Sequence, residues 1–136
     1  MLVPRRVVDQ VGPLDDAYFI YVEEADWCRR IRAAGWRCVF APQAQIIHLD
    51  GGSKSTSQIR SRMYIQLQKS QLIYIRKHVG WAGQVSARGI YVGTAVLRLI
   101  VFGALRVARS DEETAAKVRL ALATLKYHLL GQEPVS

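Results

Sequence analysis

The order of local signals along the chain predicts an α/β protein. A helix with clear end signals, EEADWCRRIRAAG, is followed by two short extended segments and then by long basic helical stretches, all within 136 residues. That length is one domain's worth and excludes a multidomain assembly. Half of the residues are hydrophobic and 22% are charged, which gives a core enough apolar side chain and argues against wholesale disorder.

Taken in order, residues 12–22, GPLDDAYFIYV, combine a Gly-Pro turn signal with two acids and an aromatic, β-prone run. They read as a loop leading into a short extended segment. Glu23 to Gly35 follows as a helix of about three turns, with acids at its start, Arg29, Arg30 and Arg32 further along, and Gly35 in the C′ position. Trp36, Cys38 and Phe40 alternate with Arg37 and Val39, the pattern of a half-buried strand that Pro42 stops. Gln45 to His48 reads as a second short strand, which places His48 at a strand end facing the Gly-rich loop LDGGSKSTS. Ser57 to Val79 is helical again, with Ile59, Met63, Leu67 and Tyr74 among its apolar positions and Gly80 and Gly83 closing it. Ser110 and Glu113 have capping-box spacing for a last helix, in which Val118, Leu122, Leu125 and Leu129 recur before Gly131.

Charge divides the chain in two. Residues 1–50 carry six basic and seven acidic side chains, residues 51–136 carry thirteen and four, and from Lys54 to Arg109 there are ten bases and no acid. Such a stretch seeks an anionic partner: phospholipid, nucleic acid or diphosphate. Within it, GIYVGTAVLRLIVFGALRVA at 89–108 is apolar and long enough to consider as a membrane span, but Arg98 near its middle makes a simple span costly. At 100° per residue Arg88, Arg98, Arg106 and Arg109 share a sector about 80° wide that includes Tyr91, with most of the remaining circumference apolar. That profile suits a helix lying in a membrane interface. A core helix with snorkelling arginines is the other reading.

Cys28 and Cys38 fall in no Cys-x-x-Cys or Cys/His cluster, so buried, reduced thiols are expected rather than a disulfide framework or a zinc site. Asp9 interrupts any apolar leader early, which makes a cytoplasmic location the default.

Two places could carry chemistry. Glu23, Glu24 and Asp26 put three carboxylates at the opening of one helix; acids favour that end in any case, and Asp26 is spaced to pair with Arg30. His48, beside GGS, could ligate a metal, sit over a phosphate held by loop amides, or be structural.

Taken together, VGPLDDAYFIYVEEADWCRRIRAAGWRCVFAPQAQIIHLDGGSKS resembles the C-terminal part of the family 2 glycosyltransferases of GT-A fold, particularly their rhamnosyltransferase-like branch. In that family a Gly-aromatic-Asp-Glu loop leads to an aromatic run, an E-D-x-D helix start, L-C-x-R-x-R-x-x-G-W, a strand, a proline and a strand ending in His. The resemblance covers residues 5 to about 80, including RKHVG; residues 81–136 match only in general character. It implies a Rossmann-like α/β fold, with 1–56 as the acceptor-side end of the catalytic domain, 57–83 as a basic helix after it, and 84–136 as a helical, membrane-associating region. It makes Glu24 the counterpart of the family's base, an aspartate in the commonest form of the motif. Asp26 is the motif's second acid, orienting the loop through Arg30, and Glu23 completes the E-E-x-D candidate catalytic set. A base needs a carboxylate within hydrogen-bond reach of the acceptor hydroxyl, and a helix N-terminus suits its negative charge. His48 matches the histidine that binds, with the family's D-x-D aspartates, the divalent cation on the donor diphosphate; such ligation suits Mn²⁺ or Mg²⁺.

No D-x-D occurs in the sequence, and the family's nucleotide-binding half has no counterpart in it. The expectation is therefore a fragment of an inverting, metal-dependent glycosyltransferase, inactive alone, taken from an enzyme that uses a nucleotide-sugar donor and a glycan or lipid-linked acceptor. It would sit peripherally on the anionic inner face of the cell membrane. A non-catalytic membrane scaffold or regulatory remnant is the alternative. A nucleic-acid module would have to exploit Lys54 to Arg109, and no nucleic-acid partner is expected.

Overall fold

In the computed structural model the chain is helical. The structure describes residues 1–43, 45, 47, 57–108 and 111–133, and these form α1 (Arg5–Val11), α2 (Glu23–Ala33), α3 (Ser57–His78), α4 (Trp81–Ala108) and α5 (Glu112–Leu130). Among the described residues there is no strand and no sheet, which overturns the α/β, Rossmann-like expectation. The segment expected to be the first strand, 36–40, runs without regular structure, and Cys38, Val39 and Phe40 are exposed rather than half-buried. Alternation alone does not make a strand; a ladder needs a neighbouring backbone to accept and donate its hydrogen bonds, and among the described residues none lies alongside. Of the second expected strand, only Gln45 and Ile47 fall within the described residues, and neither is extended in a ladder.

The helical expectations fare differently. α2 ends where its sequence says: Ala34 is the cap, and Gly35 takes φ 88°, the left-handed conformation glycine adopts at no steric cost. α3 ends at Gly80 (φ 96°), but Gly83 lies inside α4, not at the end of α3. The cap of α5 is Asp111, one residue beyond the expected Ser110: its carboxylate accepts from the Thr114 N–H at 2.7 Å and the Thr114 hydroxyl at 2.9 Å. α1 has no counterpart among the sequence expectations. It is a seven-residue helix, too short for a periodic signal.

α3 is the central element. On one side it receives α4 and α5, which form an antiparallel hairpin along it. On the other it holds α1 and α2 through polar side chains, described below. α1 and α2 are tied to each other by two indoles: Trp27 Nε1 donates to Gly12 O and Trp36 Nε1 donates to Gln10 Oε1, each at 2.8 Å. Arg6 lies over the Trp36 ring, so the tryptophan expected in a strand closes the α1–α2 corner instead. Cys28 is half-buried and Cys38 exposed, and both are free thiols; the expectation of two buried thiols fails at Cys38.

Candidate active site at the opening of α2

The backbone entering α2 is strained. Tyr21 and Val22 have φ of 69° and 72°, a conformation that costs about 1–3 kcal/mol for a non-glycine residue and that a β-branched side chain rarely adopts. The turn is held from outside: Ser70 Oγ, buried on α3, donates to Ile20 O at 2.7 Å. Strain of this kind persists where surrounding contacts over-determine the backbone, and here it aims the next three acids, Glu23, Glu24 and Asp26.

The three diverge. Asp26 is fully buried and is the hub of an ion-pair network. Arg30 Nε reaches its Oδ2 at 2.8 Å, Lys77 Nζ lies 2.9 Å from Oδ1 and 3.0 Å from Oδ2, and His78 Nε2 is 2.6 Å from Oδ1. The Tyr18 hydroxyl approaches Oδ1 at 3.5 Å. Burial works to raise the Asp26 carboxyl, but hydrogen bonds from Lys77, Arg30 and His78 outweigh it and hold the group at about 2. The same surroundings push Tyr18 up to about 12, through burial first and the Asp26 charge second. Lys77 also donates to Asp15 at 2.6 Å. Burial opposes the charge of Lys77, yet its bonds to Asp15 and Asp26 prevail and raise its pKa. Arg30 goes on to donate to Val11 O and Pro13 O, both at 2.8 Å, so the expected Asp26–Arg30 pair does organise the loop before α2. Arg29 adds a further tie to α3, with its guanidinium over the Tyr74 ring and Nη1 at 3.3 Å from the Tyr74 hydroxyl.

Asp26 is thus committed to protein partners, whereas Glu24 is exposed. Glu24 stands one turn before Cys28 on the same helical face, close enough for its charge to act on that thiol. Cys28 lines an open cleft of about 380 Å³ with Ala25, Arg29, Arg32 and Tyr74. Glu24 is thus an exposed carboxylate one turn from Cys28, whose cleft two guanidinium groups line. Glu23 is half-buried and turns Oε2 into a place where no hydrogen-bond donor among the described residues reaches it.

His48 lies outside the described residues. Among the described residues no three His, Cys, Asp or Glu side chains come together to hold a metal, so the residues in view do not build the expected cation site and no chemistry is derived through it. The sequence reading missed Lys77, His78 and Tyr18 as members of the network. The available signal was three consecutive bases, Arg76, Lys77 and His78, in the last turn of α3, where RKHVG entered only as part of the family resemblance.

No family model matches the chain, and no solved structure does. Two curated proteins do: the N-acetylglucosaminyl-diphospho-decaprenol L-rhamnosyltransferases of Mycobacterium tuberculosis strains CDC 1551 / Oshkosh and ATCC 25618 / H37Rv. Each is 33% identical over 112 residues, which is 80% of this chain and 36% of the relative. The chain therefore spans little more than a third of the length of these relatives, and over that span it is related to a glycosyltransferase.

Proposed function

We propose that this chain forms the acceptor side of a family 2 glycosyltransferase, which moves a sugar from a nucleotide-sugar donor to a lipid-linked diphosphate acceptor, with Glu24 as general base. The observation that carries the reading is the separation of roles at α2: Asp26 is locked into four partners while Glu24 is exposed one turn before Cys28, which lines the cleft of Arg29 and Arg32. The relatives' name supplies the acceptor class, a sugar on a diphospho-polyprenol, and the sugar moved in those proteins is L-rhamnose.

In this reading the acceptor hydroxyl lies against Glu24. As its oxygen attacks the donor's anomeric carbon, the hydroxyl proton passes to the Glu24 carboxylate. The bond from that carbon to the nucleoside diphosphate breaks on the opposite face, and the leaving diphosphate departs with the electron pair, inverting the centre. Arg29 and Arg32 face the acceptor's diphosphate, where planar guanidinium groups bind phosphate oxygens in pairs. Asp26 is a positioning residue: through Arg30 it fixes loop 11–13, and through Lys77 and His78 it fixes α2 on α3.

The test replaces the matching segment of a mycobacterial relative with this chain and measures rhamnosyl transfer to a short-chain N-acetylglucosaminyl-diphospho-lipid. The chimera transfers sugar, and Glu24→Gln lowers kcat by a factor of about 10² to 10⁴ with the donor KM little changed. Near-normal turnover by that variant rules Glu24 out as the base.

A further inference from the structure

α4 is built inside out. Its contacts with α3 are made by a small residue and two polar ones: Ala95 is buried, the Tyr91 hydroxyl donates to Gln71 Oε1 at 2.6 Å, and Arg98, itself exposed, donates to the Tyr64 hydroxyl on α3 at 2.9 Å. Arg88 donates to His128 O near the C-terminus of α5, and Arg106 donates to Asp111 O at the α4–α5 corner. The facing surface of α5 is equally small and polar, with Thr114, Ala115, Ala121, Thr124 and His128 buried. Four large apolar side chains of α4 face outward. Ile90, Leu97, Ile100 and Val107 are 64%, 60%, 64% and 91% exposed. At 100° per residue they span an arc of about 100°, with Ile100 and Val107 opposite Arg98 and Tyr91 and with Ile90 and Leu97 about 80–120° from them. The Trp81–Val107 helix has a mean hydropathy of 1.8 over its most apolar window, of which 6% is buried.

A water-soluble hairpin turns its large apolar side chains inward; here Ile90, Leu97, Ile100 and Val107 face out while Ala95, Ala115, Ala121, Thr114 and Thr124 are buried, the distribution of helices that pack through small residues with hydrocarbon outside. From Ile90 to Val107 the apolar arc runs about 26 Å. It is a convex strip, not a groove, in a stretch where ten bases stand between Lys54 and Arg109 with no acid. An anionic lipid surface matches both features. Lying along such a surface, rather than crossing it, fits the packing of its inner side against α3 and α5 and the ion pairs of Glu112, Glu113, Lys117 and Arg119 at the exposed face of α5. Crossing would take those charges into hydrocarbon.

We infer that the outer arc of α4, centred on Leu97 and Ile100, inserts into the acyl boundary of an anionic bilayer while its arginines tie the helix to α3 and α5. This differs from the sequence expectation in the job it gives the arginines: they brace the hairpin, and the apolar arc does the holding. The inference stands independently of the transfer reading, since no sugar or acceptor enters it.

Flotation of the full chain with vesicles tests it. Phosphatidylcholine vesicles containing phosphatidylglycerol capture the chain at low salt, and a fraction stays bound at high salt, where electrostatic attraction is screened and apolar insertion remains. Leu97→Glu with Ile100→Glu lowers the partition coefficient by about a hundredfold. Because both positions are exposed, the double variant keeps the wild-type helical circular dichroism, whereas Val39→Glu, at an exposed apolar site outside α4, floats as the wild type does. Equal flotation of the double variant and the wild type overturns the inference, as does failure of the wild type to float. So does sedimentation of the lipid-free chain as a dimer that the same double variant dissolves, since a second copy would then cover the arc.

Discussion

Asp26 in the first turn of α2 and His78 in the last turn of α3 meet at 2.6 Å, across 52 residues of sequence. The bond joins the positive end of one helix dipole to the negative end of another through a carboxylate and an imidazole, and Lys77 and Arg30 flank it. Asp26 sits at the helix end its charge favours, and the contact that fixes α2 on α3 is made there.

Replacing Asp26 by Asn leaves Arg30 and Lys77 beside a neutral amide that cannot balance them. Removing one partner of a buried ion pair costs about 3–5 kcal/mol, and Asp26→Asn lowers the urea midpoint accordingly. The pH dependence is specific. The Asp26 carboxyl is held at about 2 in the folded chain against 3.8 as its ordinary value, so its contribution is complete above about pH 4 and is lost as pH falls towards 2. That difference corresponds to about 2 kcal/mol. Denaturation measured at pH 5 and pH 2.5 shows this acid-sensitive increment in the wild type and not in Asp26→Asn; equal acid losses in both remove Asp26 from the account.

Arg32 lines the cleft beside Cys28, one turn after Glu24, and in the proposed reading it meets the acceptor diphosphate. A charge-assisted hydrogen bond to phosphate is worth about 1.5–3 kcal/mol. In the rhamnosyl-transfer chimera Arg32→Ala therefore raises the acceptor KM about ten- to a hundredfold, with little change in the donor KM. A shift confined to the donor KM places the arginine on the wrong substrate.

The helices were legible where a local device made them so. Gly35 and Gly131 end α2 and α5 in the left-handed conformation, and the acids and bases of EEADWCRRIR point along the dipole. What was not legible depends on distant partners. Trp36, Cys38 and Phe40 alternate as a strand would, yet Trp36 finds Gln10 and Arg6 instead of a neighbouring strand. Leu122 and Leu129 share a face on α5, and the structure exposes both while burying Ala121, Thr124 and His128. Periodicity identified an apolar face correctly and could not say whether protein or something else covers it. At the site, the Asp26–Arg30 pair was readable from i,i+4 spacing, whereas Lys77 and His78 reach Asp26 only through tertiary folding.

His128 is a buried imidazole with one ring nitrogen satisfied. Nε2 lies 3.0 Å from Gln68 Oε1, the ring stacks on Tyr91 at 5.0 Å between centroids, and Nδ1 has no partner among the described residues. With an amide oxygen as acceptor, Nε2 carries the proton and Nδ1 is a bare lone pair. Burial, and then the Arg88 charge, lower the pKa of the group below 6.5. The sign follows: the unfolded chain takes up this proton first, so stability is complete above about pH 6.5 and declines as pH falls below it. His128→Gln flattens the stability slope between pH 7 and pH 5 relative to the wild type. An unchanged slope shows that another histidine sets it.

Gly83 and Gly89 both lie in α4 and respond oppositely to alanine. A Cβ at Gly83 meets Val79 Cγ1 at 2.6 Å, Val79 Cβ at 2.9 Å and Ile75 Cγ2 at 3.2 Å, whereas at Gly89 it meets nothing within 4 Å. Alanine in place of glycine gains about 1 kcal/mol of helix propensity at either position. At Gly83 that gain is set against overpacking of about 1–3 kcal/mol. Val79 is β-branched and is hit at Cβ as well as at a methyl, so a rotamer change does not relieve the clash, and the α3–α4 corner has to open. Gly83→Ala is therefore destabilising and Gly89→Ala stabilising in urea titrations of the lipid-free chain. The corner's geometry is wrong if Gly83→Ala raises the midpoint as much as Gly89→Ala does.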